Sequence, residues 1–286
     1  MISLKFFNFY SDSKLHLGAM KEGRAIDLTA SRGHAPKSME ELFHCGADSY
    51  QKIDELFAAI NTPAVPDNPD FAIPVLHPEK ILCIGLNYAE HSEESHMELP
   101  SSPTVFSKFS NALTAHNHAV PLPKAASQFD YEAELVIIMG KKAHHIKKEQ
   151  AHTVIFGYTL GNDLSARDLQ LKTSQWLLGK TPDKFAPVGP YVVPASAIDP
   201  QNLQIQSFVN GKLRQNSHTS KMIFDCNTIV SYLSDYMTLQ PGDLIFTGTP
   251  AGVILGYPPE KQQWLRPGDE VTIKIEKIGE LTNRLI

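Results

Sequence analysis

The sequence predicts a β-rich α+β fold, with one large domain preceded by a small N-terminal module. Three observations carry that expectation. Twenty prolines and seventeen glycines punctuate many short apolar runs, the pattern of short strands joined by turns and not of a helical bundle. A chain of 286 residues is long for one domain and short for three equal ones. A tract holding Pro63, Pro66, Pro69, Pro74 and Pro78 then separates two regions of different character, because prolines this dense sustain neither helix nor central strand. The expected organisation is a small α+β module over residues 1–60, a linker over 61–79 and the main domain over 80–286.

Composition narrows the function classes. A net charge of -5 with no Lys/Arg-rich block argues against a nucleic-acid surface or a polybasic membrane anchor, so the expected partner is a small molecule. No stretch approaches the apolar length needed to span a bilayer. Cys45, Cys83 and Cys226 are odd in number, widely spaced and without a CxxC, which fits a reducing interior better than a disulfide framework or a zinc knuckle. The N-terminus lacks the basic, apolar and small-residue segments of a signal peptide, and the default expectation is cytoplasmic.

Taken in order, the first module reads as strands at Ser3 to Tyr10, Leu15 to Met20 and Arg24 to Leu28, then helical patterning over Met39 to Phe43 and Tyr50 to Ile60. After the linker, Lys80 to Gly85 is a short buried-type strand. If the chain turns helical after Tyr88, His91 and Glu94 share a face and can pair. The charged, Ser-rich tract from Ser92 to Ser102 is a candidate cover.

The run Phe129 to Ile138 reads as a strand that begins in a polar site and ends in the core. Asp130, Glu132 and Glu134 alternate, so on one strand they project into one volume, and their repulsion calls for a cation or basic side chains. From this stretch alone, a hard-metal site and a solvated acidic edge strand are both open. Phe156 to Asp163 is a second strand, and the turn after it puts Arg167 and Gln170 on one helical face. Asn210-Gly211 between Leu203–Val209 and Lys212–Gln215 is a hairpin signal. Thr228 to Met237 has a 3.6-residue apolar period with Asn227 as N-cap, Leu244 to Phe246 is a strand, and Val271 to Glu276 pairs with Leu281 to Ile286.

Seven blocks in one order carry a resemblance: Gly85-Leu86-Asn87-Tyr88-Ala89-Glu90-His91, Pro103 to Lys108, Asp130 to Leu135, Asp163 to Gln170, Gly179-Lys180, Phe185 to Pro190 and Thr247-Gly248-Thr249-Pro250. From about residue 80 onward the chain resembles the fumarylacetoacetate hydrolase superfamily. The resemblance implies a mixed sheet rolled into a β-sandwich, a homodimer, and Mg²⁺ or Mn²⁺ at the sheet's mouth. It implies Glu132, Glu134 and Asp163 as metal ligands, a set of hard oxygens that suits Mg²⁺, and it moves Asp130 out of the ligand set, to support or to the surface.

The same resemblance implies His91 and Glu94 as the catalytic pair, with the carboxylate orienting an imidazole that takes a proton from water. It places Lys180 beside the metal, and Arg167, Gln170 and Thr249 on the substrate side, with Tyr88 and Lys108 either lining the site or packing beneath it. Lys184 and the pairs His116/His118 and His144/His145 fall outside the pattern and read as surface. His96 lies about 140° around a helix from His91, which disfavours a paired-His metal site. Where the fumarylacetoacetases proper carry a further acidic ligand, this chain has Gly85, Leu86 and Asn87, and Thr181-Pro182 stands where a Ser-Phe pair is common. The first feature, a three-carboxylate site, resembles the shorter branch that acts on acylpyruvates, oxaloacetate and ring-cleavage products, and the second leaves the conformation of the 179–183 loop open. The implied activity is cleavage of a carbon-carbon bond in a 2-oxo acid, by acylpyruvate hydrolysis or oxaloacetate decarboxylation. The alternatives are an isomerase or decarboxylase of hydroxymuconate-type diacids and a 2-hydroxy-acid lyase. From another class, a non-catalytic binding protein that kept the fold is disfavoured by the complete set of matched residues, and a nicotinamide enzyme by the lack of a GxGxxG after a strand.

Overall fold

A computed structural model describes residues 4–31, 35–59, 61–94 and 99–286. The expectations for His96 and for the 95–98 part of the Ser-rich tract lie outside these residues. Near the N-terminus, β1 (Lys5–Ser11), β2 (Lys14–Lys21) and β3 (Arg24–Asp27) form an antiparallel meander, followed by α1 (Met39–Phe43) and α2 (Ala47–Ala58). Ser38 caps α1 by accepting from the Glu41 amide. The Pro-rich tract is more ordered than a linker reading suggests: β4 (Asp70–Ala72) pairs with β1 at the sheet's edge, where missing proline donors cost least.

The core of this module is continuous with that of the larger sheet. Phe6, Leu17, Ile26, Met39, Leu42 and Ile53 pack in one cluster with Ile81, Cys83, Val136, Ile138, Leu244 and Phe246. A backbone bridge between Phe6 and Val192 fastens the two regions.

The remaining chain runs through β5 (Ile81–Gly85), α3 (Ala89–Glu94), β6 (Thr104–Ser107), β7 (Leu113–Thr114), β8 (Phe129–Asp130), β9 (Ala133–Met139), β10 (Ile155–Asn162), β11 (Ser165–Ala166), α4 (Arg167–Gln170) and α5 (Leu177–Lys180). It continues through β12 (Ala186–Pro187), β13 (Val193–Pro194), β14 (Gln204–Val209), β15 (Lys212–His218), α6 (Cys226–Tyr236), β16 (Leu244–Phe246), β17 (Glu270–Ile275) and β18 (Gly279–Arg284). A mixed six-stranded sheet has the order β13-β10-β9-β16-β5-β6, with β16 and β5 parallel, and an antiparallel sheet has the order β15-β14-β17-β18.

Strand β9 explains its own sequence. Val136 and Ile138 face the N-terminal module, whereas Leu135, Ile137 and Met139 pack toward Ile205, Ile273 and Leu281 of the second sheet and Ile229 and Leu233 of α6. Burial on both faces is why the segment reads as an unbroken apolar run. At the β14–β15 hairpin, Asn210 (φ 51°) and Gly211 (φ 74°) supply the two positive φ values of a type I′ turn. Helix α6 begins earlier than its periodicity suggests, because Asp225 and not Asn227 is the cap, accepting from the Thr228 amide at 2.7 Å.

The run Phe129 to Ile138 is not one strand. Phe129 and Asp130 pair with β11, and Ala133 onward pairs with β10. Between them, the Glu132 amide donates to Asn162 Oδ1 and the Ala133 amide to Gln215 Oε1, both at 3.0 Å. Side-chain acceptors thus replace the ladder, satisfy the buried backbone and let the chain change direction.

Candidate active site

The starts and ends of three neighbouring strands meet at one end of the mixed sheet. Glu132 and Glu134 flank the first residue of β9, and Asp163 follows β10, where its amide donates to the Glu132 carbonyl at 3.0 Å. Gly248, just past β16, donates its amide to Glu134 Oε2 at 2.7 Å. One oxygen from each of Glu132, Glu134 and Asp163 lies within 4.8 Å of the others, and all three side chains are buried.

Three buried cations answer these acids. Lys180 Nζ lies 2.5 Å from Glu132 Oε2 and 2.8 Å from Asp163 Oδ2. Lys108 binds the other Asp163 oxygen and the Leu164 carbonyl. Arg167 reaches Asp130 through Nε at 2.9 Å, Glu132 through Nη2 at 2.7 Å and Gln170 through Nη1 at 2.9 Å. Asp130 is therefore neither ligand nor surface: fully buried, it also accepts the Ile254 and Leu255 amides at 2.8 and 3.0 Å. It pins both Arg167 and the 254–255 turn. The alternation of the three acids does not survive the break at residues 131–132, so Asp130 points to a different set of partners.

Burial alone would raise the Glu132 carboxyl, but Lys180 and Arg167 outweigh it and hold the group well below the usual carboxylate range. Burial, then the like charges of Asp163 and Glu132, push Glu134 far upward. Desolvation opposes the charge on Lys180, yet Asp163 and Glu132 keep its ammonium above its ordinary value. Desolvation wins at Lys108, which is lowered despite Asp163. Four buried carboxylates meet three buried cations, and Glu134 is the one of the four with no ion-pair partner among the described residues, Lys180 acting on it only from beyond contact. A hard divalent cation fits that donor set: oxygen ligands, a buried position and an unanswered charge.

The carboxylates open onto a cavity of about 200 Å³. On one side stand His91 and Glu94, with Nδ1 and Oε1 2.9 Å apart on α3. Glu94 is fixed by the Gly252 amide, 3.1 and 2.9 Å from its two oxygens. Arg167, Gln170, Lys180 and Thr249 line the cavity as well, and the rest of the wall is apolar, including Ile84, Leu86, Phe106, Leu171, Trp176 and Leu255. Gly179 is required for this arrangement, since a Cβ there would lie 2.4 Å from the Gln170 amide and push α5, with Lys180, away from α4.

The structure thus brings Glu132, Glu134, His91, Glu94, Lys180, Arg167, Gln170 and Thr249 around one cavity, with Asp163 behind Lys180. Thr249 Oγ1 is already engaged, donating to Ala133 O and accepting from Gln215. Tyr88 and Lys108 are buried beneath the cavity and do not line it. Lys184 is exposed, His116 and His118 are half-buried, and the rings of His144 and His145 meet at 3.9 Å, tilted by 45°, on the surface. Asn162, Gln215, Gly252 and Trp176 are contributors that no motif pointed to. Asn162 stands next to Asp163 and was within reach of sequence reasoning. Gln215 meets Ala133 across 82 residues, a contact that only the tertiary fold creates.

A buried carboxylate cluster that could hold a metal ion thus shares one cavity with a His–Glu pair. Residues 80–286 match the model of the fumarylacetoacetate (FAA) hydrolase C-terminal family, and the chain belongs to that family. It is 43% identical over 282 residues to a fumarylacetoacetate hydrolase domain-containing protein 2 homolog of Dictyostelium discoideum, covering 94% of this chain and 92% of that one. It is 37% identical over 267 residues to the mitochondrial oxaloacetate tautomerase Fahd2a of Rattus norvegicus, covering 92% and 84%. Among solved structures, a fumarylacetoacetate hydrolase from Exiguobacterium antarcticum superposes with a TM-score of 0.86 at 33% identity, covering 99% of both chains. A 2-hydroxyhepta-2,4-diene-1,7-dioate isomerase from Mycobacterium marinum gives 0.77 at 31%, covering 99% of this chain and 98% of that one. These likenesses support an enzyme acting on a small carboxylic acid and bear out the strand-rich α+β fold. The rat protein is a mitochondrial one by name. No helix among the described residues is long and apolar enough to cross a membrane.

Proposed function

We propose that this chain is a divalent-metal-dependent enzyme that moves a proton at the carbon next to the keto group of a 2-oxo acid. Oxaloacetate tautomerisation is then its simplest reaction. The observation behind this reading is the uncompensated carboxylate Glu134 beside Glu132 and Asp163, facing the His91–Glu94 pair across one small cavity. Glu132, Glu134 and Asp163 would hold Mg²⁺ or Mn²⁺. When bound, the ion supplies Lewis-acid stabilisation of negative charge on the substrate's oxygens.

The side chains supply the rest. With Nδ1 donating to Glu94, the neutral imidazole keeps its lone pair on Nε2, and the carboxylate favours the imidazolium that forms when Nε2 takes a proton. Lys180, held charged between Glu132 and Asp163, places a cation beside the developing enolate. Arg167 and Gln170 form the polar wall, with the guanidinium oriented by Asp130.

In tautomerisation the proton leaves carbon for His91 and an oxygen gains one, with no bond to carbon otherwise broken. Acylpyruvate hydrolysis and oxaloacetate decarboxylation share the enolate and differ in what leaves. A tautomerase and an isomerase among the relatives support proton transfer, and a hydrolase among them keeps C–C cleavage as the second reading. The homodimer and the division of the chain at residues 60 and 80 belong to the same proposal. The test is turnover of oxaloacetate enol, an acylpyruvate and a hydroxymuconate-type diacid with Mg²⁺ or Mn²⁺. Ketonisation of the enol faster than cleavage of either other substrate supports this reading; cleavage without ketonisation overturns it.

A further inference from the structure

On the far side of the turn that Asp130 holds lies a larger cavity, about 770 Å³, outside the site described above. It opens between strand β15 and the segment 254–266. Lys212 and Arg214 stand on one wall, Lys261 and Arg266 on the other, with Tyr257 and Trp264 beside them. In a chain of net charge -5 this is a concentration of positive charge against the overall balance. None of the four cations has an ion-pair partner among the described residues. The acid in the wall, Asp269, is already engaged, with Oδ1 accepting from Asn210 Nδ2 at 2.8 Å and Oδ2 from the Arg266 amide at 2.9 Å.

Four converging cations repel one another, and an anion that bridges them relieves the repulsion. Two guanidinium forks favour planar or tetrahedral oxyanions, which they bind in bidentate fashion. We propose that this groove is a second ligand site, for a small multivalent anion bearing phosphate or several carboxylates.

The groove is wired to the catalytic pair by short contacts. Tyr131, in its wall, donates to the Gly252 carbonyl at 2.8 Å, and the Gly252 amide holds Glu94. Ile254 faces the groove while its neighbour Leu255 faces the catalytic cavity, and both amides bind Asp130. Occupancy of the groove therefore orders the turn that orients Glu94 and Arg167.

The test is calorimetric titration of the full chain in saturating Mg²⁺ with sulfate and, separately, with propane-1,2,3-tricarboxylate. It compares the wild type with R214Q, R266Q and the double variant, whose substitutions lie outside the catalytic machinery, and K261Q serves as an independent check. We expect saturable binding of at least one probe, weaker at high salt, threefold or more weaker in each single variant and tenfold or more in the double. Amide exchange over 252–257 slows when the probe is bound. Tighter sulfate binding identifies a phosphate-type ligand, and tighter tricarboxylate binding a polycarboxylate. No saturable binding of either probe, or affinities unchanged in the double variant, overturns the proposal.

Discussion

Arg167 Nε and Asp130 Oδ2 lie 2.9 Å apart, both fully enclosed, and the same carboxylate caps the Ile254 and Leu255 amides. This contact turns an acid that the sequence places beside metal ligands into the anchor of the substrate-side arginine. Asp130→Asn leaves a buried guanidinium with one partner fewer, which costs about 3 kcal/mol of stability. Denaturant unfolding reads that loss. Calorimetry should find Mn²⁺ affinity changed less than by any substitution at Glu134.

Glu134 predicts the opposite pattern. Burial and its two acidic neighbours raise its carboxyl, and Gln is close to an isostere of the side chain. Glu134→Gln keeps the metal-free stability within about 1 kcal/mol of wild type and weakens Mn²⁺ binding at least tenfold. A large loss of metal-free stability would contradict the account of Glu134 as the unanswered charge.

Much of this was legible from sequence, and the exceptions share a cause. Glu132, Glu134 and Asp163 are brought together as the resemblance implies, and the spacing of His91 and Glu94 by itself puts them on one helical face. The apolar run after Glu134 and the Asn210-Gly211 turn likewise state their structure locally. For Asp130 the sequence leaves support and surface both open, because strand alternation alone would carry it through Tyr131 onto the face of Glu132 and Glu134. What ends it there is two distant side chains, Asn162 and Gln215, which take the backbone donors. The strand β4 within the Pro-rich tract was hidden for a similar reason, since its pairing to β1 spans more than 60 residues.

Glu94 is positioned with little room to spare. A Cβ on Gly256 would lie 2.6 Å from Glu94 Oε2, so Gly256→Ala displaces the carboxylate from His91. Loss of the oriented base lowers kcat by about 100-fold, the lower end for general acid–base catalysis. KM should change little, since Gly256 does not line the cavity. Steady-state kinetics separates the two parameters; a rise in KM with kcat intact would contradict the role given to Glu94.

The thiols give a pH dependence. Burial pushes Cys226 up to about 12, against an ordinary value of 9.0. Between those values the unfolded chain releases a proton that the folded chain retains, so this contribution to stability is full below about pH 9 and is lost as pH rises toward 12. Cys226→Ala should flatten the alkaline fall in stability measured by denaturant titration. Alkylation of the native chain should label the half-buried Cys45 before Cys83 or Cys226, both of which are enclosed.

The central claim is that a carboxylate-held divalent ion and the His91–Glu94 pair act together on a 2-oxo acid. The most direct measurement is the rate of oxaloacetate enol loss, followed by ultraviolet absorbance, with Mg²⁺ present, after chelation, and after Mg²⁺ is restored. The account predicts a fall to the uncatalysed rate on chelation and full recovery on restoration. A rate unchanged by chelation would contradict it.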